Sequence, residues 1–361
     1  MSALVFSVSS PGMLTTVQDG GRWGFQGKGM PVAGAMDMQS LKLGNILVGN
    51  AQEDAALEVT ILGPTLRVEE GEGVVAVTGA ELSFTVNGAA VPNWTVVRVG
   101  VGDVLAFGAP LTGCRAYLCA SGGIDVPVVM GSRSTYTRAK VGGLEGRALK
   151  KGDTVRCGAP GALWRQCEGF ACPGELRSVY DPEAPLRVIP GPQDDCFTEA
   201  GKETFYGSEY VVSNSADRMG YRLDGPVIEH VGAADIISDA IPLGAVQVPG
   251  HGQPIVMLAD RQTTGGYTKI GTVCSVDIAA LSQRLPGQKV RFETIDLDGA
   301  VALVRNEGKK REELLRLRAR WRSVRDDGLC RSVRGGTPTK GEFLLGVDGA
   351  NHRISWEEVH E

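Results

Sequence analysis

No Cys-x-x-Cys pair occurs among the eight cysteines, and the four histidines, at 230, 251, 352 and 360, show neither His-x-x-x-His nor His-x-His spacing. A structural zinc site needs such ligands gathered in close pairs, so the sequence gives no metal centre. Cys114, Cys119, Cys157 and Cys274 sit in apolar runs and read as reduced, buried hydrophobes. A Gly-x-x-x-x-Gly-Lys-Ser/Thr phosphate loop is missing, which excludes a Walker-type ATP site in this chain. Gly71-x-Gly73 lacks the third glycine and following helix of a dinucleotide fingerprint and reads as a turn. There is no Gly-x-Ser-x-Gly elbow, and neither Ser121-Gly-Gly nor Ser132-Arg-Ser134 has a histidine nearby, so serine nucleophile chemistry lacks support. Without Met-Lys-Met, the chain offers no acceptor for a swinging biotin of the usual type. No apolar run nears the roughly 20 residues of a membrane span. A net charge of -5 gives no basic excess for nucleic acid. The start, Met1-Ser-Ala-Leu-Val-Phe, has no basic region before a long apolar one. A soluble, cytoplasmic protein is expected.

What is present is glycine, 50 residues of it, beside 18 prolines and 42% hydrophobic residues in a chain of 361. The glycines punctuate short Val/Leu/Ile runs as turns punctuate strands, which predicts a folded, mainly β protein. Three segments separate. Residues 1–176 alternate strands and turns, as in Leu57-Glu-Val-Thr-Ile-Leu and Val74-Val-Ala-Val. Asn87-Gly88 between Leu82–Val86 and Ala89–Val91 predicts a hairpin, because both central residues of a type I′ turn need positive φ. Gly102-Asp-Val-Leu and Gly152-Asp-Thr-Val form a quasi-repeat of turn and strand. A proline-rich link, Pro173-Gly174 and Pro182-Glu-Ala-Pro185, leads to residues 186–297. There Val188-Ile-Pro-Gly191 echoes the run from Val5 to Pro11-Gly12, as two related halves would. Residues 298–361 form an extension: Asp296 is placed to cap a helix whose apolar line runs through Ala300, Val304, Leu314, Leu317, Trp321 and Val324. A strand, an Asp348-Gly349 turn and a second strand follow. The role of residues 326–361 is not legible.

The densest polar cluster is Asp260-Arg261-Gln262-Thr263-Thr264-Gly265-Gly266-Tyr267-Thr268-Lys269, directly after the apolar Pro254-Ile-Val-Met-Leu-Ala259. A buried strand would deliver these groups to a rim, and two glycines allow a ligand close to the backbone. Three further polar blocks accompany it: Thr16-Val-Gln18-Asp19-Gly-Gly-Arg22 with Gly29-Met-Pro-Val-Ala-Gly-Ala-Met-Asp37; Ser213-Asn214-Ser-Ala-Asp-Arg218-Met-Gly-Tyr-Arg222-Leu; and Gly244-Ala-Val-Gln247-Val-Pro-Gly-His251-Gly-Gln253-Pro.

In these blocks and their order the chain, over roughly residues 3 to 300, resembles the allophanate hydrolase subunit 2 or KipA-type family. Its bacterial members are regarded as the C subunit of the ATP-dependent 5-oxoprolinase. The resemblance implies two cyclophilin-like β-barrel subdomains, a first over 1–176 and a second over 186–297. It also implies a complex with a KipI-type B subunit, together with the 5-oxoprolinase A subunit, that opens the lactam of 5-oxoproline to L-glutamate. ATP with magnesium would serve that complex, with no cofactor held firmly by this chain. Related domains act as the biotin-dependent carboxyltransferase of urea carboxylase, biotin being carried by a separate partner. An interaction protein that sequesters a KipI-type regulator is the non-catalytic alternative, and a homo-oligomer is left open. Departures from the family pattern are Thr268, where proline is usual, Ala240, where glycine is common, and the tail after about residue 326.

A lactam acid offers a carboxylate and an amide, which match an arginine fork and a glutamine. The catalytic candidates are therefore Asp260, Arg261 and Lys269. Those for substrate binding are Gln262, Thr263, Thr264, Gly265, Gly266, Tyr267, Arg218, Gln247, Gln253, Asn214, Gln18, Asp19 and Arg22. Each has a plainer reading: Asp260 and Arg261 as an ion pair locking a strand end, Lys269 as a solvated lysine, and Asp19 and Arg22 in a glycine-permitted turn. Arg222 reads as structural and His251 as an inert turn histidine. Arg133, Ser134 and Tyr136 form a weaker patch.

Overall fold

The computed structural model describes residues 3–178, 180–326, 340–347 and 350–357, with side chains described through Trp321. Two sheets form the N-terminal part. One has six strands in the order 154–156, 5–10, 65–70, 104–106, 85–86, 89–90; the other has five in the order 14–18, 56–60, 112–120, 72–81, 97–100. Their apolar faces enclose one core that includes Phe6, Val8, Leu57, Leu66, Val77, Leu105 and Leu118. The hairpin expected at Asn87-Gly88 forms, with Val86 opposite Ala89 and φ of 53° and 79° at the two turn residues. The quasi-repeat is real in structure too. Asp103 accepts from Gly100 N–H at 2.8 Å and Asp153 from Lys150 N–H at 2.7 Å, and each turn feeds a strand of the six-stranded sheet.

The long strand pairs of the five-stranded sheet carry helix α1 (Met38–Val48) on their other face. Asp37 caps α1, accepting from Ser40 N–H at 2.9 Å. Helix α2 (Glu199–Gly207) brings Phe205 into a second core built by an eight-stranded sheet. That sheet runs 289–290, 210–212, 220–224, 255–257, 245–247, 269–273, 186–190, 292–294. Its two outermost strands, Lys289–Val290 and Phe292–Thr294, are separated in sequence by Arg291 alone. A flat sheet eight strands wide would hold them tens of ångströms apart at about 4.8 Å per strand, so the sheet curls into a nearly closed barrel. A two-stranded ribbon, Asp235–Ala240 with Thr264–Tyr267, projects from this barrel.

Helix α3 (Ser275–Ser282) follows the barrel strand Lys269–Val273, and helix α4 (Leu297–Asp326) starts where the barrel ends. Asp296 caps α4 as expected, accepting from Gly299 N–H at 2.8 Å. Of the expected apolar line, Ala300 and Leu314 are buried, while Leu317 and Trp321 pack on the α1 layer. The Trp321 and Phe170 rings lie 5.8 Å apart. Val304 departs from the expectation: it stays 46% exposed, because its turn of α4 faces an open cleft rather than a core. Leu314 is fully enclosed, so Leu314→Ala should cost about 3 kcal/mol, read as a lower urea midpoint at unchanged slope. Strands Lys340–Val347 and Ala350–Glu357 pair antiparallel. The Asp348-Gly349 turn and the side chain of Val324 lie outside the described residues.

Among the described residues six cysteines are buried and Cys196 is half-buried. Burial pushes the thiols of Cys157 and Cys172 up to about 12, so both remain thiols at neutral pH. Among the described residues no helix is long and apolar enough to cross a membrane.

Candidate functional site

A cleft of about 870 Å³ opens where the loop 20–36, α1, the link 174–187, α3 and α4 meet. Its walls are largely apolar, with Val32, Met36, Leu243 and Ile278 among them, and Arg261 lines it. Arg261 is only 8% exposed. Its Nε donates to Ile241 O at 2.9 Å and its Nη1 to Leu258 O at 3.1 Å. No carboxylate lies within ion-pairing distance of it among the described residues. Burial alone pushes this guanidinium down to about 10. A buried cation held by carbonyls and turned to a cleft can receive an anion, because an incoming carboxylate would recover the electrostatic stabilisation that burial removed.

The expected Asp260–Arg261 ion pair does not form. Asp260 is paired instead with Arg218, at 3.0 and 3.1 Å. Arg218 also donates to Gly34 O at 2.6 Å and holds Glu58. Glu58 in turn accepts from Tyr117 OH at 2.7 Å and Met36 N–H at 2.9 Å. Burial works against the Arg218 charge, but Asp260 and Glu58 more than offset it and hold the guanidinium above its ordinary value. With its fork filled by two carboxylates and a carbonyl, Arg218 is a strut between the N-terminal sheet and the barrel.

A second strut lies beside it. Arg115 reaches Tyr221 OH at 2.6 Å and the Ser282 carbonyl, while Gln283 ties Cys114 N–H and Arg115 N–H to Asp37. Burial raises Asp37 above the usual carboxylate range, against hydrogen bonds from Ser40, Gln283 and Tyr180. Sequence reasoning passed over Glu58, Asp37, Tyr180 and Gln283. A signal existed for Glu58 alone: a single charge inside the apolar run Leu57-Glu-Val-Thr-Ile must find a buried partner.

Gln18, Asp19 and Arg22 hold one loop to another. Gln18 Nε2 donates to Thr135 O at 3.1 Å, Arg22 Nη2 to Ser134 O at 2.8 Å, and Asp19 accepts from Ser132 Oγ at 2.7 Å and from Ser134 Oγ. Arg22 is fully buried; burial pushes its guanidinium down, against the nearby Asp19 and Asp260 charges. Arg133 is bonded to Val126 O and Asp125, and the Tyr136 hydroxyl is raised, first by burial and then by Asp260.

In the second half of the polar block, Thr264, Gly265, Gly266 and Tyr267 are the ribbon strand, and Thr263 O accepts from Ile241 N–H at 3.0 Å. Lys269 is not solvated. It is enclosed, and its Nζ reaches Asp239 Oδ2 at 3.0 Å, pinning the ribbon to the barrel. The Thr268 hydroxyl lies 3.1 Å from His230 Nε2. Gln247 and Gln262 turn toward Gly265. Asn214 and Gln253 are elsewhere: with Arg222 and His251 they line a separate depression of about 350 Å³. Gln253 there bonds both the N–H and carbonyl of Gly225, and His251 Nδ1 accepts from Gln253 N–H. The structure thus places Arg261 at the cleft and the two glutamines at Gly265 of the ribbon, and leaves Asn214 and Gln253 apart.

Residues 28–294 match the carboxyltransferase domain, subdomain A and B. The chain belongs to this carboxyltransferase-domain family. It is 38% identical over 305 residues to the 5-oxoprolinase C subunit of Escherichia coli (strain K12), covering 84% of this chain and 95% of that protein. It is 37% identical to the 5-oxoprolinase C subunit of Haemophilus influenzae over 80% of this chain and 91% of that one. The crystal structure of Kluyveromyces lactis urea carboxylase superposes with a TM-score of 0.81 at 31% identity, covering 87% of this chain and 29% of that longer one. The mainly β architecture with a C-terminal helix is therefore a carboxyltransferase-domain architecture.

Proposed function

We propose that this carboxyltransferase-domain chain is the C subunit of a 5-oxoprolinase, acting with a KipI-type B subunit, together with an A subunit, to hydrolyse the lactam of 5-oxoproline to L-glutamate with ATP. The observation that carries the reading is Arg261, a buried guanidinium with carbonyl partners facing a largely apolar cleft. A partly apolar wall with a buried cation that has no carboxylate partner suits a small ring bearing a carboxylate. Identity to 5-oxoprolinase C subunits over nearly their whole length supports the same assignment.

In this reading Arg261 anchors the carboxylate, the cleft wall excludes water from the ring, and the Arg218 pairs keep the two halves in register. The cleft lysines Lys42 and Lys310 pair with Glu53 and Glu307. In this reading ATP and magnesium belong to the partner subunits. ATP-dependent glutamate release from 5-oxoproline, measured with the partner subunits, should require this chain; turnover at an equal rate in its absence would end the proposal.

A second reading is the biotin-dependent carboxyltransferase of an amide such as urea, favoured by the superposition on urea carboxylase. It would be preferred if carbon dioxide fixation onto an amide required this chain and a biotinylated partner.

A further inference from the structure

Gln247 and Gln262 converge on one point of the backbone. A Cβ built on Gly265 would stand 3.0 Å from Gln247 Nε2, 3.5 Å from Gln262 Nε2 and 2.7 Å from Ile241 Cδ1. Gln247 Nε2, a donor, and Gln262 Oε1, an acceptor, are both closed off from water and have no hydrogen-bond partner in the protein. Buried polar atoms are normally paired, so two orphans of opposite kind on amide heads that meet at one glycine form a complementary set waiting for a third group. Whichever way the two amide heads are turned, the pair still offers donors and acceptors side by side. Below them lies a small apolar cluster of Ile241, Ala245 and Met257, flanked by Ile255. Ile241 also borders the Arg261 position, since its carbonyl accepts from Arg261 Nε.

We propose that Gln247 and Gln262, meeting at Gly265 and floored by Ile241, Ala245 and Met257, form a niche that reads a cis amide: an N–H and a C=O on one edge of a small ring. A trans amide turns these two groups to opposite sides and cannot satisfy both glutamines. The apolar floor takes the ring's methylenes. A lactam such as that of 5-oxoproline has this edge, and so does the ureido ring of a cyclic urea. The inference rests on the amide chemistry of the proposed function and assigns its recognition to particular residues.

The niche is roofed by the ribbon. Asp239 stands opposite Gly265 in that pair, and its carboxylate holds Lys269 Nζ. Admitting the ring requires this ribbon to shift, and the Asp239–Lys269 pair recloses it.

Ligand-observed NMR on the full chain tests this with three neutral probes: 2-pyrrolidinone for the lactam, 2-imidazolidinone for the cyclic urea, and N-methyl-2-pyrrolidinone, which lacks the N–H. The expected result is saturable binding of the first or second, at least tenfold weaker binding of the N-methyl compound, and a similar loss in Gln262→Met. Gln262→Glu, which keeps an acceptor, should retain binding. Gly265→Ala should also lose it, and thermal melting separates that loss from unfolding. Preference between the first two probes distinguishes a lactam from a ureido ligand. Equal binding of the N-methyl compound, no effect of Gln262→Met, or no binding of either cyclic amide at millimolar concentration would overturn the niche. Glutamate release that still required this chain would then leave the proposed function standing, whereas intact probe binding without such a requirement would remove the function and leave the niche.

Discussion

Arg261→Met in the assembled enzyme should lower kcat/KM for 5-oxoproline by about 100-fold while leaving the chain folded. A charge-assisted, two-pronged bond from a buried guanidinium to a carboxylate is worth about 3 kcal/mol, which is roughly 100-fold in rate. Arg261→Lys should recover little, because a lysine offers a point charge where the site holds a planar fork to the Ile241 and Leu258 carbonyls. The pH dependence carries the same signature. Burial pushes the Arg261 guanidinium down to about 10, so the charge that binds a carboxylate is present below that value and is lost as pH rises through it. For stability the sign is opposite: the folded state disfavours this proton, so below about pH 10 the buried charge costs free energy that methionine does not. The variant should therefore melt within a few degrees of the parent, and its pH–rate profile should lack an alkaline limb near 10. Steady-state kinetics and thermal melting read both outcomes.

Arg218→Met should fail in the opposite manner, by unfolding. Arg218 satisfies Glu58 and Asp260 at once, and both carboxylates are buried, at 1% and 5% exposure of their side chains. Removing the guanidinium strands two charges in the seam between the N-terminal sheet and the barrel, which should cost about 3–5 kcal/mol. Adding Glu58→Gln should restore part of that loss, since one stranded charge is then removed. Urea denaturation of the two variants measures the effect. A stable Arg218→Met chain with a selective loss of substrate affinity would return Arg218 to the set of ligand contacts.

The contrast between these two arginines marks how far the sequence could be read. Elements that follow from local rules were legible: the Asn87-Gly88 turn from its φ requirement, the Asp103 and Asp153 turns from their repeat, and α4 from Asp296 and the spacing of Leu314, Leu317 and Trp321. Val304 was not, because an apolar spacing does not say whether a given turn meets a core or an open cleft. The polar blocks were visible as blocks, but Arg261 and Arg218 look alike in sequence. Which one is filled by carboxylates depends on Glu58, 160 residues away from Arg218, a pairing that no local pattern encodes. Lys269 shows the same limit: its partner Asp239 sits on the ribbon, 30 residues earlier. Asn214 and Gln253 belong to neighbouring polar runs, yet strand direction carries them to a separate depression.

A crystal structure of this chain with bound 5-oxoproline tests the central claim most directly. The account expects the ligand carboxylate within about 3 Å of the Arg261 guanidinium, the usual span of a charge-assisted hydrogen bond. A ligand bound instead in the depression lined by Asn214, Arg222, His251 and Gln253, with Arg261 facing solvent alone, would contradict it.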